Sequence, residues 1–151
     1  MSIQVRDPFY WNGEEYDFLK AENIYSLFDP AAYGIELSYA DHSCWKGFII
    51  QFSVREDQLF WDRLALVAGE KAPPPILGIA PVCPDGWFYE YEGIDSRLDY
   101  TGTMTIGREL LPRYAGRSSV GPHSYAIVFQ LTFESGRLIR TKDISGTSVG
   151  F

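Results

Sequence analysis

Apolar and polar residues alternate with a period of two in Phe48-Ile49-Ile50-Gln51-Phe52-Ser53-Val54, which places Phe48, Ile50, Phe52 and Val54 on one face of a strand. Arg55-Glu56-Asp57 turns the chain into a return strand beginning at Leu59. The same plan recurs at Ala126-Ile127-Val128-Phe129-Gln130-Leu131-Thr132-Phe133. There Glu134-Ser135-Gly136 is the turn and Arg137-Leu138-Ile139-Arg140 starts the return. Further strands are predicted over 15–19, 34–39, 76–80, 87–92 and 99–106. Helical periodicity is nearly absent. Two short helical turns are predicted, one at Asp29-Pro30-Ala31-Ala32-Tyr33-Gly34 and one over 108–114. Residues 69–75, with three consecutive prolines, form a connection rather than a strand.

The two hairpins suggest an internal repeat, approximately 12–67 and 93–144. A shift of 82 aligns Pro30 with Pro112 and Gly34 with Gly116. A shift of 81 aligns His42-Ser43 with His123-Ser124, and one of 79 aligns Gln51 with Gln130 and Leu59 with Leu138. The expected architecture is a single all-β domain, an antiparallel β-barrel or sandwich with two pseudo-repeated halves and minor short helices. Closing two β halves on each other removes exposed sheet edges.

Composition supports a globular chain. Of 151 residues, 46% are hydrophobic and 16% aromatic, a bias that favours strands. No apolar run approaches the roughly 20 residues of a spanning helix, and the opening residues lack the pattern of a secretion signal. With two cysteines the expectation is reduced thiols in a cytoplasm. The net charge of −7 is unevenly spread: residues 1–100 balance at −10, residues 101–151 at +3. An acidic body argues against nucleic acid as a partner and is compatible with a basic protein.

Candidate chemistry centres on Ala40-Asp41-His42-Ser43-Cys44-Trp45. On a strand His42 and Cys44 face one way and Asp41 and Ser43 the other, so the four reactive groups do not converge. The run reads as the start of the core strand that follows. His42, Cys44, Cys83 and His123 are a two-His, two-Cys set of the kind zinc takes, but without the usual ligand spacing. Two structural histidines rank ahead of that metal reading, and no cofactor is expected. In the stretch 87–95, Trp87, Tyr89 and Tyr91 share one face, and Glu90 and Glu92 the other. Paired carboxylates beside aromatics can serve glycoside hydrolysis; an acidic stripe outside a sheet is the simpler reading. Arg108 and Arg113 flank the second helical turn and could hold an anion or pair with the acidic half.

One resemblance is visible. Leu27-Phe28-Asp29-Pro30-Ala31-Ala32-Tyr33-Gly34 followed by Cys44-Trp45-Lys46-Gly47, with Tyr100-Thr101-Gly102, Ile106-Gly107-Arg108 and Phe133-Glu134-Ser135-Gly136, resembles a family of small bacterial proteins of unassigned function. The resemblance covers most of residues 12–144. It implies a bacterial cytoplasmic origin and carries no activity, cofactor or catalytic residue. Three functional expectations follow, in rank order. The first is a non-catalytic acidic interaction protein, immunity- or inhibitor-like, with a basic protein partner. The second is a small-molecule-binding barrel lined by aromatics. The third is an enzyme using His42 or His123 with Cys44, Glu90 or Glu92.

Overall fold

A computed structural model describes residues 7–23, 27, 30–33, 48–67, 73–84, 88–114 and 122–146. Nine strands account for most of them: β1 (Asp7–Trp11), β2 (Glu14–Ala21), β3 (Phe48–Arg55), β4 (Gln58–Val67), β5 (Phe88–Tyr91), β6 (Ser96–Arg97), β7 (Gly102–Leu110), β8 (Tyr125–Glu134) and β9 (Arg137–Asp143). Seven close a ring in the order β3-β1-β2-β7-β8-β9-β4, with β4 returning to β3; β5 and β6 attach to β4. The all-β expectation holds. Among the described strands every pairing is antiparallel except β1 with β3, which is parallel.

The seams differ in strength. β3 and β4 pair continuously from Phe48–Leu66 to Arg55–Gln58. β1 and β3 pair only at Phe9–Phe52 and Tyr10–Ser53, and the buried Asp7 carboxylate extends that seam by accepting the Ile50 N–H at 2.9 Å. β4 and β9 pair only at Gln58–Arg137. That contact is reciprocal: the Leu59 N–H donates to Gly136 O at 2.8 Å, and the Leu138 N–H donates to Asp57 O at 2.7 Å. Positions 57 and 136, and 59 and 138, are those related by the 79-residue shift. β7 pairs directly with β8, whereas β1 lies between β2 and β3.

Inside the ring the apolar faces meet. Phe9, Phe52, Trp61, Tyr91, Tyr100 and Phe133 are at most 2% exposed, packed with Leu59, Leu64, Met104, Ile106 and Leu131. Burying a side chain of this size contributes about 1.5–3 kcal/mol. Polar tips find partners: Tyr91 Oη donates to Pro74 O at 2.7 Å, and Tyr100 Oη to Glu22 O at 2.6 Å. Burial, reinforced by the nearby Glu22 charge, pushes the Tyr100 phenol up to about 12.

Several expected elements change on inspection. Over 76–80 there is no strand: Leu77 and Gly78 both have positive φ, and Ile76 and Ile79 exchange two backbone hydrogen bonds across that tight turn. Over 108–114 the helical turn shrinks to Pro112–Tyr114, a 3-10 turn. Residues through Leu110 stay in the sheet in unbroken register with β8, with Glu109 at positive φ between the Arg108–Ile127 and Leu110–Tyr125 pairs. Pro112 has no N–H to continue the ladder, so the chain leaves the sheet there. The first helical turn is present as Pro30–Tyr33, whereas the predicted strand 34–39 lies outside the described residues. Strand β1 was not expected, because Pro8 interrupts its strand pattern.

Candidate functional site

Strands β1, β3, β4 and β5 turn a polar face outward, and one irregularity organises it. β4 carries an extra residue: Gln51 pairs with Arg63 and Phe52 with Trp61, leaving Asp62 bulged between them. Asp62 and Arg63 therefore both leave the core, while Leu59, Trp61, Leu64 and Leu66 point inward. The Asp62 backbone carbonyl accepts the Ile94 N–H at 3.1 Å, which ties the bulge down.

Two arginines stand on this face, each held by two carboxylates. Arg55 Nη2 lies 3.0 Å from Asp62 Oδ1 and also bonds Asp95, and its guanidinium covers the Phe60 ring at 3.8 Å. Arg63 lies 3.0 Å from Glu90 through Nη2 and 2.9 Å from Glu92 through Nε. At the neighbouring edge the Tyr10 hydroxyl donates to Glu15 at 2.5 Å. That hydrogen bond, then burial and the Glu15 charge, raise the Tyr10 phenol above its ordinary value, with Arg63 opposing. Exposed ion pairs contribute little stability, a median of about 0–1 kcal/mol. Arg63 Nε is close to Glu92 in charge contact only, without the geometry of a hydrogen bond.

Where β1 and β3 part beyond Tyr10–Ser53, a cleft of about 490 Å³ opens between the Asn12-Gly13 turn and the end of β3. Tyr10, Trp11, Gln51, Ser53, Arg55 and Asp62 contribute to its walls. Ser53 is 6% exposed, and among the described residues its hydroxyl has no hydrogen-bond partner. A smaller hollow of about 180 Å³ adjoins it across Gln51, with Arg63, Phe88 and Glu90 in its walls. Among the described residues no histidine or cysteine lines either space.

The residues predicted from sequence divide into three groups. Glu90 and Glu92 belong to this face, clamped on Arg63, and Tyr89 packs against the core from the inner side of β5. Arg108, Arg113, His123 and Cys83 sit elsewhere. Arg108 lies 3.9 Å from Glu14 and 3.6 Å from Glu109, with its guanidinium 5.7 Å from the Tyr16 ring centre. Arg113 and His123 are exposed on 3-10 turns, and Cys83 is a half-buried free thiol. His42, Cys44 and Trp87 lie outside the described residues, so two members of the zinc set are not placed. Among the described residues no three His, Cys, Asp or Glu side chains cluster as metal ligands, and no helix is long and apolar enough to cross a membrane.

Sequence reasoning missed Tyr10, Gln51, Ser53, Arg55, Asp62 and Arg63. One signal was present: Asp62-Arg63 places two consecutive polar residues in a strand that otherwise alternates, the mark of a bulge. Comparison with protein-family models, with curated proteins and with solved structures found no match.

Proposed function

We propose that this protein is a non-catalytic interaction module that binds a basic protein partner through the outer face of β1, β3, β4 and β5. The observation that carries the reading is the pair of arginines each ion-paired with two carboxylates. Holding Arg55 and Arg63 before binding removes part of the ordering cost of association. Tyr and Arg side chains on a rigid sheet are the residue types that dominate binding energy in protein interfaces. Glu15, Asp62, Glu90, Glu92 and Asp95 outnumber the two guanidiniums, so the face keeps a negative field that steers a basic partner. An immunity- or inhibitor-like role in a bacterial cytoplasm is consistent with that chemistry. Aromatic and aliphatic side chains fill the described interior positions.

The test is salt-graded affinity capture with the wild-type chain and with Glu92→Lys/Asp95→Lys. A partner retained at low ionic strength by the wild type, released by salt and lost in the double variant, is the expected result. Capture that ignores both salt and charge reversal sinks the proposal.

A further inference from the structure

We infer that the outer edge of β9 takes up an extended acidic segment of a partner protein as an added strand. This site is separate from the outer face of β1, β3, β4 and β5.

The first observation is an unpaired backbone edge. β4 starts at Gln58, and its contact with β9 ends where the Leu138 N–H donates to Asp57 O at 2.7 Å. Past that point β9 runs on to Asp143 with β8 as its one strand neighbour among the described residues. The Ile144 N–H donates to Val128 O at 2.9 Å. Alternation along an antiparallel ladder therefore turns the backbone groups of Arg140 and Lys142 to β8, and those of Thr141 and Asp143 away from it. Among the described residues nothing bonds the outward N–H and C=O of Thr141 or Asp143. Open donors and acceptors in that spacing are a template for one more strand.

The second observation is charge. Arg140 and Lys142 stand opposite Thr132 and Gln130 on one face of β9, and both are exposed. Arg55, Arg63 and Arg108 each lie against carboxylates, but among the described residues no carboxylate pairs with Arg140 or Lys142. Asp143 projects from the opposite face, and its carboxylate accepts the Ser145 N–H at 2.8 Å.

The same cations select the occupant. A second copy pairing β9 with β9 about Thr141 sets Arg140 against Lys142, and pairing about Lys142 sets lysine on lysine. Like charges directly opposite are destabilising. An acidic strand meets both cations with the opposite sign. Its Asp or Glu residues fall at alternate positions, facing Arg140 and Lys142, and the uncharged residues between them bond Thr141 and Asp143. Ile139, 55% exposed at the start of the open stretch, adds apolar contact.

The experiment is a ¹⁵N NMR titration of the whole chain at low salt with a capped hexapeptide that alternates valine and glutamate. The expected result is movement of the amides from Ile139 to Asp143, with slowed solvent exchange at Thr141 and Asp143. Methylating the valine nitrogens, which carry the bonds to those two residues, should abolish binding; methylating the glutamate nitrogens should weaken it far less. Arg140→Glu/Lys142→Glu should weaken binding about tenfold and shift the preference to a peptide alternating valine and lysine. Both positions are exposed, so the melting temperature should stay close to that of the wild type. Equal binding of the valine-methylated peptide means charge attraction without an added strand, and overturns the inference. So do equal binding of the lysine peptide by the wild type, no shift at millimolar peptide, and edge shifts that grow with protein concentration alone. The salt-graded capture with Glu92→Lys/Asp95→Lys decides the reading of the acidic face independently.

Discussion

The β3–β4 and β8–β9 hairpins turn in the same way and live in different surroundings. Both are two-residue turns with positive φ at each central position, 52° and 62° at Glu56-Asp57 and 48° and 84° at Ser135-Gly136. This primed geometry matches the twist of the strands it joins. The first tip is exposed and built from two carboxylate residues, of which Asp57 tolerates positive φ better than Glu56. The second is covered by residues 98–101: Gly136 N–H donates to Tyr100 O at 2.7 Å, and Ser135 N–H donates to the Thr101 hydroxyl at 2.9 Å. A Cβ at Gly136 would stand 1.9 Å from the Leu98 carbonyl oxygen. One turn is therefore chosen for charge in water, the other for the absence of a side chain under a lid. The backbone solution is shared, and the residues report what lies above it.

Four variants test this contrast. Gly136→Ala should cost about 3 kcal/mol or more, since it adds a backbone clash to an unfavourable φ. Asp57→Ala, at the matching position, should stay within about 1 kcal/mol of the wild type. Urea denaturation of the two variants side by side reads the difference, and equal losses would dissolve the contrast.

The next change acts on the covering segment through pH. The Tyr100 phenol is raised to about 12 in the folded protein, by burial and then by Glu22, against 10.0 for the free group. The folded state thus holds its proton more tightly than the unfolded chain. The stabilisation is complete below pH 10 and is lost as pH rises towards 12, by an amount on the order of 2 kcal/mol. Tyr100→Phe should flatten the stability curve in that window while lowering stability at neutral pH through loss of the bond to Glu22 O. Denaturation midpoints from pH 8 upward would show it; an unchanged alkaline slope would remove Tyr100 as the cause.

The smallest effect is a gain. Replacing Glu56→Asn and Asp57→Gly installs the residue pair already used at Asn12-Gly13, whose φ values are 53° and 75°. Stability should rise by about 1–2 kcal/mol. A thermal melt that fails to rise would mean the acidic tip makes compensating contacts in the folded state.

Much of this fold could be read from the alternation of apolar residues. Ile50 and Phe52 point inward as the period predicts, and Tyr91 is fully buried while Glu90 and Glu92 face out. Two things were not legible. Strand β1 was hidden by Pro8, and its parallel pairing with β3 joins residues far apart in the chain. The cleft was hidden because Tyr10, Ser53 and Asp62 form no local motif; they meet only once the strands are in register and β4 is bulged. A one-residue irregularity re-aims side chains without altering composition, so only the doubled polar pair Asp62-Arg63 hinted at it.

The single-residue seam at Gln58–Arg137 has a consequence for the order of events during synthesis. The β3–β4 hairpin can form as soon as it emerges from the ribosome, because its partners are neighbours in the chain. Its far edge has no β9 beside it until residue 137 has been added, and β2 waits similarly for β7. β5 and β6 cover the upper part of that edge first, and the ring stays open at Gln58 until β9 is added to shut it.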